Sequence, residues 1–123
     1  MDIIHDRDAN LNVLDNKTVA VIGYGSQGAA QALCMRDSGV NVIIGSIKDA
    51  SYDQAVKDGF EVMPIADAAA RGDVVHILLP DEYHRKVYEN DIKGNLKEGA
   101  ALSCSHGFNI VYKQIVPPES VDV

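Results

Sequence analysis

A glycine-rich segment offers the clearest chemistry in the sequence, because its residues suit the binding of a phosphate group. Its members are Gly23, Tyr24, Gly25, Ser26, Gln27 and Gly28. An apolar run precedes the segment and helical spacing follows it, which is the context that makes a G-x-G-x-x-G pattern specific. Gly23 permits a tight turn, Gly25 lets the main chain approach a diphosphate, and Gly28 lets the helix pack closely on the strand. The helix N-terminus then meets the phosphate charge. The segment therefore predicts a turn that holds the pyrophosphate of a nicotinamide dinucleotide.

Two further segments carry polar residues after predicted strands. Residues 79–82 read Leu-Pro-Asp-Glu, and residues 105–109 read Ser-His-Gly-Phe-Asn. Ligands of open parallel sheets bind outside the carboxyl ends of the strands, so both segments are expected to flank the nicotinamide half of the cofactor. His106 is the titratable residue of the second segment, and an imidazole exchanges protons near neutral pH. We therefore interpret His106 as a catalytic residue.

The loop after the second predicted strand bears on the choice between NADP and NAD. An acidic residue at the strand end accepts the adenine ribose hydroxyl of NAD, whereas basic and hydroxyl residues receive the 2′-phosphate of NADP. Here the strand ends at Gly45 without an acid. Lys48 and Ser51 can serve a phosphate, and Asp49 would repel it. Both cofactors stay open, with NADP(H) modestly favoured, and an ordinary solvated Lys48–Asp49 pair is the alternative interpretation.

The remaining titratable residues are weaker candidates. His76 lies within a predicted strand, where a hydrogen-bonded role between layers is expected, whereas His84 in the first turn of a helix could touch the cofactor or face solvent. Asp81 and Glu82 are typical of a helix start. Cys34 and Cys104 lie in apolar stretches, as small core residues do, and lack metal-ligand spacing. No metal site can be assembled from these residues.

The elements that must position these residues alternate between strands and helices. Strands are predicted at residues 17–23, 40–45, 60–63, 73–79 and 100–105, and helices at residues 26–38, 51–58, 65–71 and from 81 onwards. This alternation predicts an α/β fold, a Rossmann-type doubly wound parallel sheet in three α/β/α layers. The first dozen residues are expected to form a loose lead-in, and residues 121–123 look like the opening of a sixth strand. Either the chain is cut from a longer protein or something outside the sequence completes that edge.

Length and charge narrow the function classes. The 123 residues are expected to form a single domain, 1–123. Lysine and arginine total 11 against 18 acidic residues, which gives a formal net charge of −7 and argues against a nucleic-acid or anionic-membrane partner. No apolar run approaches the length of a membrane span, and the N-terminus lacks the order of a signal peptide. A cytoplasmic protein is expected.

Several stretches together resemble one family, ketol-acid reductoisomerase, also called acetohydroxyacid isomeroreductase. The matching stretches are residues 19–28, 33–42, 78–82, 95–100, 105–110 and 114–118, followed by 121–123. The resemblance begins at about residue 10 and covers nearly all of the chain. The combination of the GYGSQG turn with the HGFNI segment is highly specific.

The resemblance implies a two-step reaction in valine, leucine and isoleucine synthesis. A magnesium-dependent alkyl migration in a 2-acetohydroxy acid, such as acetolactate or acetohydroxybutyrate, precedes its reduction by NAD(P)H to a 2,3-dihydroxy acid. It also implies residue roles: residues 24–27 cradle the pyrophosphate, Lys48 and Ser51 face the adenosine ribose or its phosphate, and His106 is the active-site histidine. The cofactor is further lined by Asp81, Glu82, Tyr83 and His84.

The sequence departs from the family in three places and in its extent. Ile47-Lys48 stands where an arginine is frequent, Ala29 where histidine is frequent, and Tyr83-His84 where Val-Gln is commoner. The family's helical C-terminal domain, which supplies the acidic magnesium ligands and most of the substrate pocket, is absent from this chain. Magnesium is thus expected only in the full-length enzyme, and this chain is expected to bind cofactor without turnover.

Two other interpretations stay open. A related oxidoreductase, such as a pyrroline-carboxylate or hydroxyacid reductase, shares the glycine turn but gives no reason for the SHGFNI segment. A standalone NAD(P)-sensing regulatory module is the non-enzymatic alternative. The incomplete edge at residues 121–123 could also pair with another copy and form a homo-oligomer.

Overall fold

The computed structural model describes residues 2–123; Met1, the first residue of the predicted domain, lies outside them. Two short 3₁₀ helices, Asp6–Asp8 and Leu11–Leu14, precede the first strand. The strands are β1 (Thr18–Ile22), β2 (Asn41–Gly45), β3 (Glu61–Met63), β4 (Val74–Ile77) and β5 (Ala101–Cys104). The helices are α1 (Ser26–Asp37), α2 (Ala50–Lys57), α3 (Ile65–Arg71), α4 (Asp81–Val87) and α5 (Phe108–Val111).

The described strands form one parallel sheet in the order β3-β2-β1-β4-β5. The chain moves outwards from β1 to β3 and then returns to place β4 on the other side of β1. The connections after β1 and after β4 therefore leave in opposite directions, which opens a crevice between the carboxyl ends of these strands. In doubly wound folds this switch point is where a dinucleotide binds.

Two apolar layers cover the sheet, one on each face. One layer packs α1 and α2 against alternate strand residues, among them Val19, Val21 and Ile44. The other packs α3 and the segment after α4 against the intervening residues, among them Ile22 and Ile77. Because both faces are covered, the central strand β1 is almost completely buried, as its run of β-branched residues requires. The predicted Rossmann-type, three-layer α/β/α fold is confirmed.

The structure refines the predicted elements at several points. The fourth strand, predicted to extend to residue 79, ends at Ile77: Leu78 still donates to the carbonyl of Ile22 at 2.9 Å, but the chain then turns into α4. Helix α4 continues into a π-helical turn, Tyr88–Ile92, which places Tyr88 and Ile92 in the core. A regular helical spacing does not predict this extra residue in the turn.

The C-terminal segment reaches the sheet at one position. Asp122 pairs in parallel with Ala101, and its carbonyl accepts a hydrogen bond from the Leu102 amide at 2.8 Å. The predicted opening of a sixth strand is thus a single bridge beside β5. Pairing of this edge with another copy stays a prediction.

Candidate functional site

The glycine turn joins β1 to α1 at the switch point of the sheet. Gly23 has a φ of +99°, a conformation that L side chains rarely adopt, and a Cβ there would lie 2.9 Å from the Leu79 side chain. A Cβ on Gly28 would overlap the carbonyl oxygen of Gly23. These two glycines therefore have the tasks that the sequence predicts for them, a tight turn and a close approach of helix to strand.

Gly25 differs from its two neighbours in the motif. Its φ is −78°, which any residue adopts, and a Cβ there would meet nothing within 4 Å. Nothing inside the protein therefore requires glycine at this position. The open space lies at the N-cap of α1, where main-chain N–H groups lack partners within the helix. An anion seated on these amides would occupy that space, so the residues present fit the diphosphate of a dinucleotide.

The side chain of Tyr24 is buried rather than available to a ligand. Its hydroxyl donates to the Asp58 carboxylate at 2.7 Å, and its ring packs edge-on against Phe60 with 5.7 Å between centroids. Arg36 lies over the same Phe60 ring and donates to the Asp58 carbonyl at 2.6 Å. Only the main chain of Tyr24 is open to the predicted pyrophosphate, and the side chain anchors the glycine turn to the end of α2.

This anchor changes the acidity of both its partners. Burial raises the pKa of Tyr24 to about 12, and the hydrogen bond to Asp58 adds to the increase. The same hydrogen bond, followed by one from Gln54, lowers the pKa of the Asp58 carboxyl below its ordinary value. Both shifts favour a neutral phenol donating to an ionised carboxylate near neutral pH.

A cleft of about 480 Å³ lies beside the carboxyl end of β2, where the adenosine half of a dinucleotide is expected. Lys48 and the buried Ser46 line it together with Tyr52. Asp49 is the N-cap of α2 and accepts a hydrogen bond from the Tyr52 amide at 3.1 Å. Its carboxylate therefore has a structural task, while Lys48 is exposed at the rim of the cleft. Ser51 lies half-buried in the first turn of α2.

The loops after β4 and β5 are tied to each other by Asn109. Its side-chain amide donates to the main-chain carbonyl of Asp81 at 3.2 Å, and its own carbonyl accepts from the amides of Gln114 and Ile115. Asn109 is buried in the short helix α5, which follows the loop after β5. Sequence reasoning placed this residue in the right segment but missed its role as the link between the two loops.

His106 lies on the surface of the second loop. Its Nδ1 accepts a hydrogen bond from the Phe108 amide at 3.1 Å, which leaves the proton of a neutral ring on Nε2. Phe108 and Tyr112 continue a row of exposed aromatic rings from the imidazole. The ring is thus oriented by its own loop and accessible, as a proton-transfer residue requires.

The predicted residues at the start of α4 fall into two groups. Asp81, Glu82 and Tyr83 are exposed at the carboxyl edge of the sheet, near the second loop. His84 is only 2% exposed, so the expectation that it could face solvent is wrong. Its Nε2 lies 2.6 Å from the Leu79 carbonyl, and its Nδ1 has no partner among the described residues. The ring thus ties α4 to the main chain of Leu79 in the loop that precedes it. Its contact with the cofactor stays a prediction.

Other titratable residues lie outside the site or take structural roles. His76 makes contacts between layers, as predicted, through Gln31 and the Ser103 carbonyl. Cys34 is exposed on α1, so its predicted core position is wrong, whereas Cys104 is half-buried and burial raises its thiol pKa. Among residues 2–123, no group of three His, Cys, Asp or Glu side chains is placed to hold a metal ion. No helix in this part of the chain is long and apolar enough to cross a bilayer.

Comparison with known proteins gives a consistent result. Residues 13–123 match the family described as acetohydroxy acid isomeroreductase, NADPH-binding domain. The ketol-acid reductoisomerase (NADP(+)) of Akkermansia muciniphila is 63% identical over 123 residues, which are all of this chain and 38% of that protein. The ketol-acid reductoisomerase (NAD(+)) of the uncultured archaeon GZfos26G2 is 57% identical and is covered to 39%.

Comparison with solved structures gives the same family as the sequence comparison. An NADH-preferring ketol-acid reductoisomerase from an uncultured archean superimposes with a TM-score of 0.93 at 57% identity over 98% of this chain and 38% of that one. A semialdehyde dehydrogenase NAD-binding protein from Cupriavidus necator has a TM-score of 0.75 at 18% identity, which shows the shared fold alone. The chain spans about two fifths of the length of these reductoisomerases. With the glycine turn, the switch-point crevice and the Asn109-linked loops in place, the chain belongs to the acetohydroxy acid isomeroreductase (ketol-acid reductoisomerase) family, whose NADPH-binding domain it matches.

Proposed function

We propose that this chain binds a nicotinamide dinucleotide across the carboxyl edge of its sheet, with the diphosphate on the main-chain amides of residues 24–28. The single observation that carries this proposal is Gly25, whose missing side chain leaves open space at the N-cap of α1 while nothing in the protein requires glycine there. Gly23 and Gly28 hold the turn in shape around that space. The adenosine half lies towards the cleft beside β2, and the nicotinamide half towards the loops after β4 and β5.

NADP(H) is the favoured cofactor, with NAD(H) as the alternative. No acid stands at the end of β2, Asp49 is engaged as a helix cap, and Lys48 is free at the rim of the cleft to attract a 2′-phosphate. Relatives are named for either cofactor, so similarity does not decide between them.

The role of Lys48 is testable by comparing two nucleotides. Lys48→Ala should weaken NADPH binding about tenfold, the size of one lost charge-assisted contact, and leave NADH binding nearly unchanged. Lys17→Ala is the matched control. It removes the same charge directly before β1, at the amino ends of the strands, whereas the cleft lies at their carboxyl ends. An equal loss for both nucleotides, or a loss in the control, would contradict the assignment of Lys48 to the phosphate.

We further propose that the domain serves the conversion of 2-acetohydroxy acids to 2,3-dihydroxy acids in branched-chain amino-acid synthesis, as its relatives' names support. When bound, the nicotinamide supplies the hydride. His106, exposed and oriented by the Phe108 amide, is the residue of this chain placed to exchange a proton with the substrate. The residues described here offer no cluster fit for the magnesium ions, so no step through the metal is assigned to them.

Cofactor binding and catalysis by this chain can be assayed separately. The 123-residue chain should bind NADPH and yet show no magnesium-dependent oxidation of NADPH with acetolactate. His106→Ala should leave the dissociation constant of NADPH within about twofold, because the imidazole is exposed and its hydrogen bond is made within its own loop. Turnover by the chain would contradict this division, and failure to bind either nucleotide in calorimetry would sink the proposed function as a whole.

A further inference from the structure

A chain of three side chains connects the middle of β4 to the glycine turn. His76 is half-buried on the face of β4 that packs against α1, and its Nε2 lies 2.8 Å from Oε1 of Gln31. The Nε2 of Gln31 donates in turn to Oε1 of Gln27 over a long 3.5 Å. On its other side, the Nδ1 of His76 lies 3.4 Å from the Ser103 carbonyl. The chain of side chains ends at a member of the predicted diphosphate cradle.

The protonation of the His76 ring decides which of these hydrogen bonds can form. The Ser103 carbonyl and the Gln31 side-chain oxygen both accept, so both contacts are satisfied only when both ring nitrogens carry a proton. A neutral ring carries one proton. The Nε2–H tautomer keeps the shorter, 2.8 Å contact with Gln31, and the Nδ1–H tautomer keeps only the longer one.

The ring therefore determines how both amides are turned. When Nε2 of His76 donates to the oxygen of Gln31, the amino group of Gln31 faces the oxygen of Gln27, and the amino group of Gln27 points outwards. When Nε2 lacks its proton, Gln31 must turn its amino group to the ring. Its oxygen then faces Gln27, which directs its own amino group inwards and its oxygen outwards.

Gln27 lies where this difference matters for an anion. Because Gln31 reaches His76, this side of α1 faces β4, and Gln27 lies one helical turn closer to the N-terminus of α1. Gln27 is exposed in the first turn of α1, the helix that begins at the glycine turn. An outward amino group there donates to a diphosphate, whereas an outward carbonyl oxygen repels it.

We propose that His76 is a positioning residue for the cofactor: by donating from Nε2 to Gln31 it holds the amino group of Gln27 outwards, towards the bound diphosphate. This inference rests on the proposed function, since it needs the dinucleotide at the glycine turn. His76 itself touches no part of the cradle.

The arrangement makes cofactor affinity depend on pH. Burial lowers the pKa of His76, and the hydrogen bond with the Ser103 carbonyl acts in the opposite direction. The ring is faced by Gln31 of α1, Val21 of β1 and Ser103 of β5, and none of these neighbours carries a charge. A protonated ring donates from both nitrogens and permits only the amino-outward state. Anion binding therefore raises the pKa of His76, and affinity rises as pH falls through that pKa.

The test compares two substitutions at His76 with NAD⁺ as the probe, because NAD⁺ lacks the 2′-phosphate that would titrate over the same range. His76→Met removes the donor and should weaken binding about tenfold, the lower end for one hydrogen bond to a charged group. His76→Gln keeps an N–H donor at a similar place without a titrating ring. It should restore most of the affinity and abolish the increase that we expect for the wild-type chain from about pH 8 to about pH 5.

A double-mutant cycle separates this role from a general effect on folding. In a Gln27→Met background the His76→Met substitution should cost nothing further, because the amide that it positions is gone. Gln31→Met breaks the same chain at its middle and should reproduce the loss if His76→Met does not fold. Wild-type binding of NAD⁺ with the same loss in both backgrounds, or with no loss in His76→Met and Gln31→Met, would overturn this inference alone. Absence of wild-type binding to any dinucleotide would overturn the proposed function with it.

Discussion

The two halves of the carboxyl edge are built in different ways. On the β1–α1–β2 side, the turn is held by close packing and by hydrogen bonds to distant parts of the chain, such as the one from Tyr24 to Asp58. On the β4–β5 side, Asn109 joins two loops whose other side chains, including His106 and Phe108, are exposed. The first half is shaped before a ligand arrives, whereas the second half presents reactive and apolar groups on a pre-set backbone. We therefore propose that the first half holds the diphosphate and that the second half supplies the proton-transfer residue, His106.

The largest effect is expected where packing is tightest. Gly28→Ala places a methyl group against the Gly23 carbonyl, with the carbonyl carbon at 2.9 Å, and neither backbone can yield without separating α1 from β1. We expect a loss of about 3 kcal/mol in the free energy of unfolding, at the upper end for overpacking, together with loss of cofactor binding. Urea denaturation measures the free energy of unfolding, and calorimetry measures cofactor binding. A fully stable Gly28→Ala variant would refute the assigned role of this contact.

Gly25→Ala is the matched substitution, and it should weaken cofactor binding without lowering stability. Its φ of −78° suits alanine and the added methyl group meets nothing within 4 Å, so the midpoint of urea denaturation should change little: the lower entropy of the unfolded chain offsets the weaker N-cap of alanine. The methyl group would occupy the space of the diphosphate, and we expect at least about tenfold weaker binding of NADPH. Unimpaired binding would show that the diphosphate lies elsewhere.

A smaller effect is expected from Tyr24→Phe, which removes the anchor to Asp58 and keeps the packed ring. The loss of one hydrogen bond should cost about 1 kcal/mol of unfolding free energy near neutral pH. Because the folded pKa is raised to about 12 from an ordinary 10.0, the wild-type chain should lose stability as pH rises between these values. The phenylalanine variant should lack that component. If the unfolding free energies of the two proteins changed with pH in the same way across this range, the hydrogen bond from Tyr24 to Asp58 would be contradicted.

The smallest effect is expected for Tyr83, and it contrasts with a larger one at the neighbouring Asn109. Tyr83→Ala removes an exposed side chain that is 54% accessible, so the free energy of unfolding should change by no more than about 0.5 kcal/mol. Asn109→Ala is the informative partner variant, since it breaks the buried link to the Asp81 carbonyl and should destabilise the protein by about 1–3 kcal/mol. Equal stabilities of the two variants would show that the loops are not held together by Asn109.

Sequence reasoning succeeded where the determinants are local. The spacing of Gly23, Gly25 and Gly28 between an apolar run and a helix is enough to place the turn, and the alternation of strands and helices is enough to give the sheet. It failed where contacts join distant positions. Nothing near Tyr24 in the sequence indicates a contact with Asp58, so the hydrogen bond between them was not predicted. The buried orientation of His84 depends on how α4 meets the preceding loop, which helical periodicity does not fix in a first turn.

The central claim is that the main-chain amides of residues 24–28 hold the diphosphate. Titration of the ¹⁵N-labelled chain with NADPH, followed by amide chemical shifts, tests it most directly. The largest shifts should fall on these five amides, with smaller ones near Lys48 and in the loop of His106. Saturable binding that leaves the amides of residues 24–28 unmoved would contradict it.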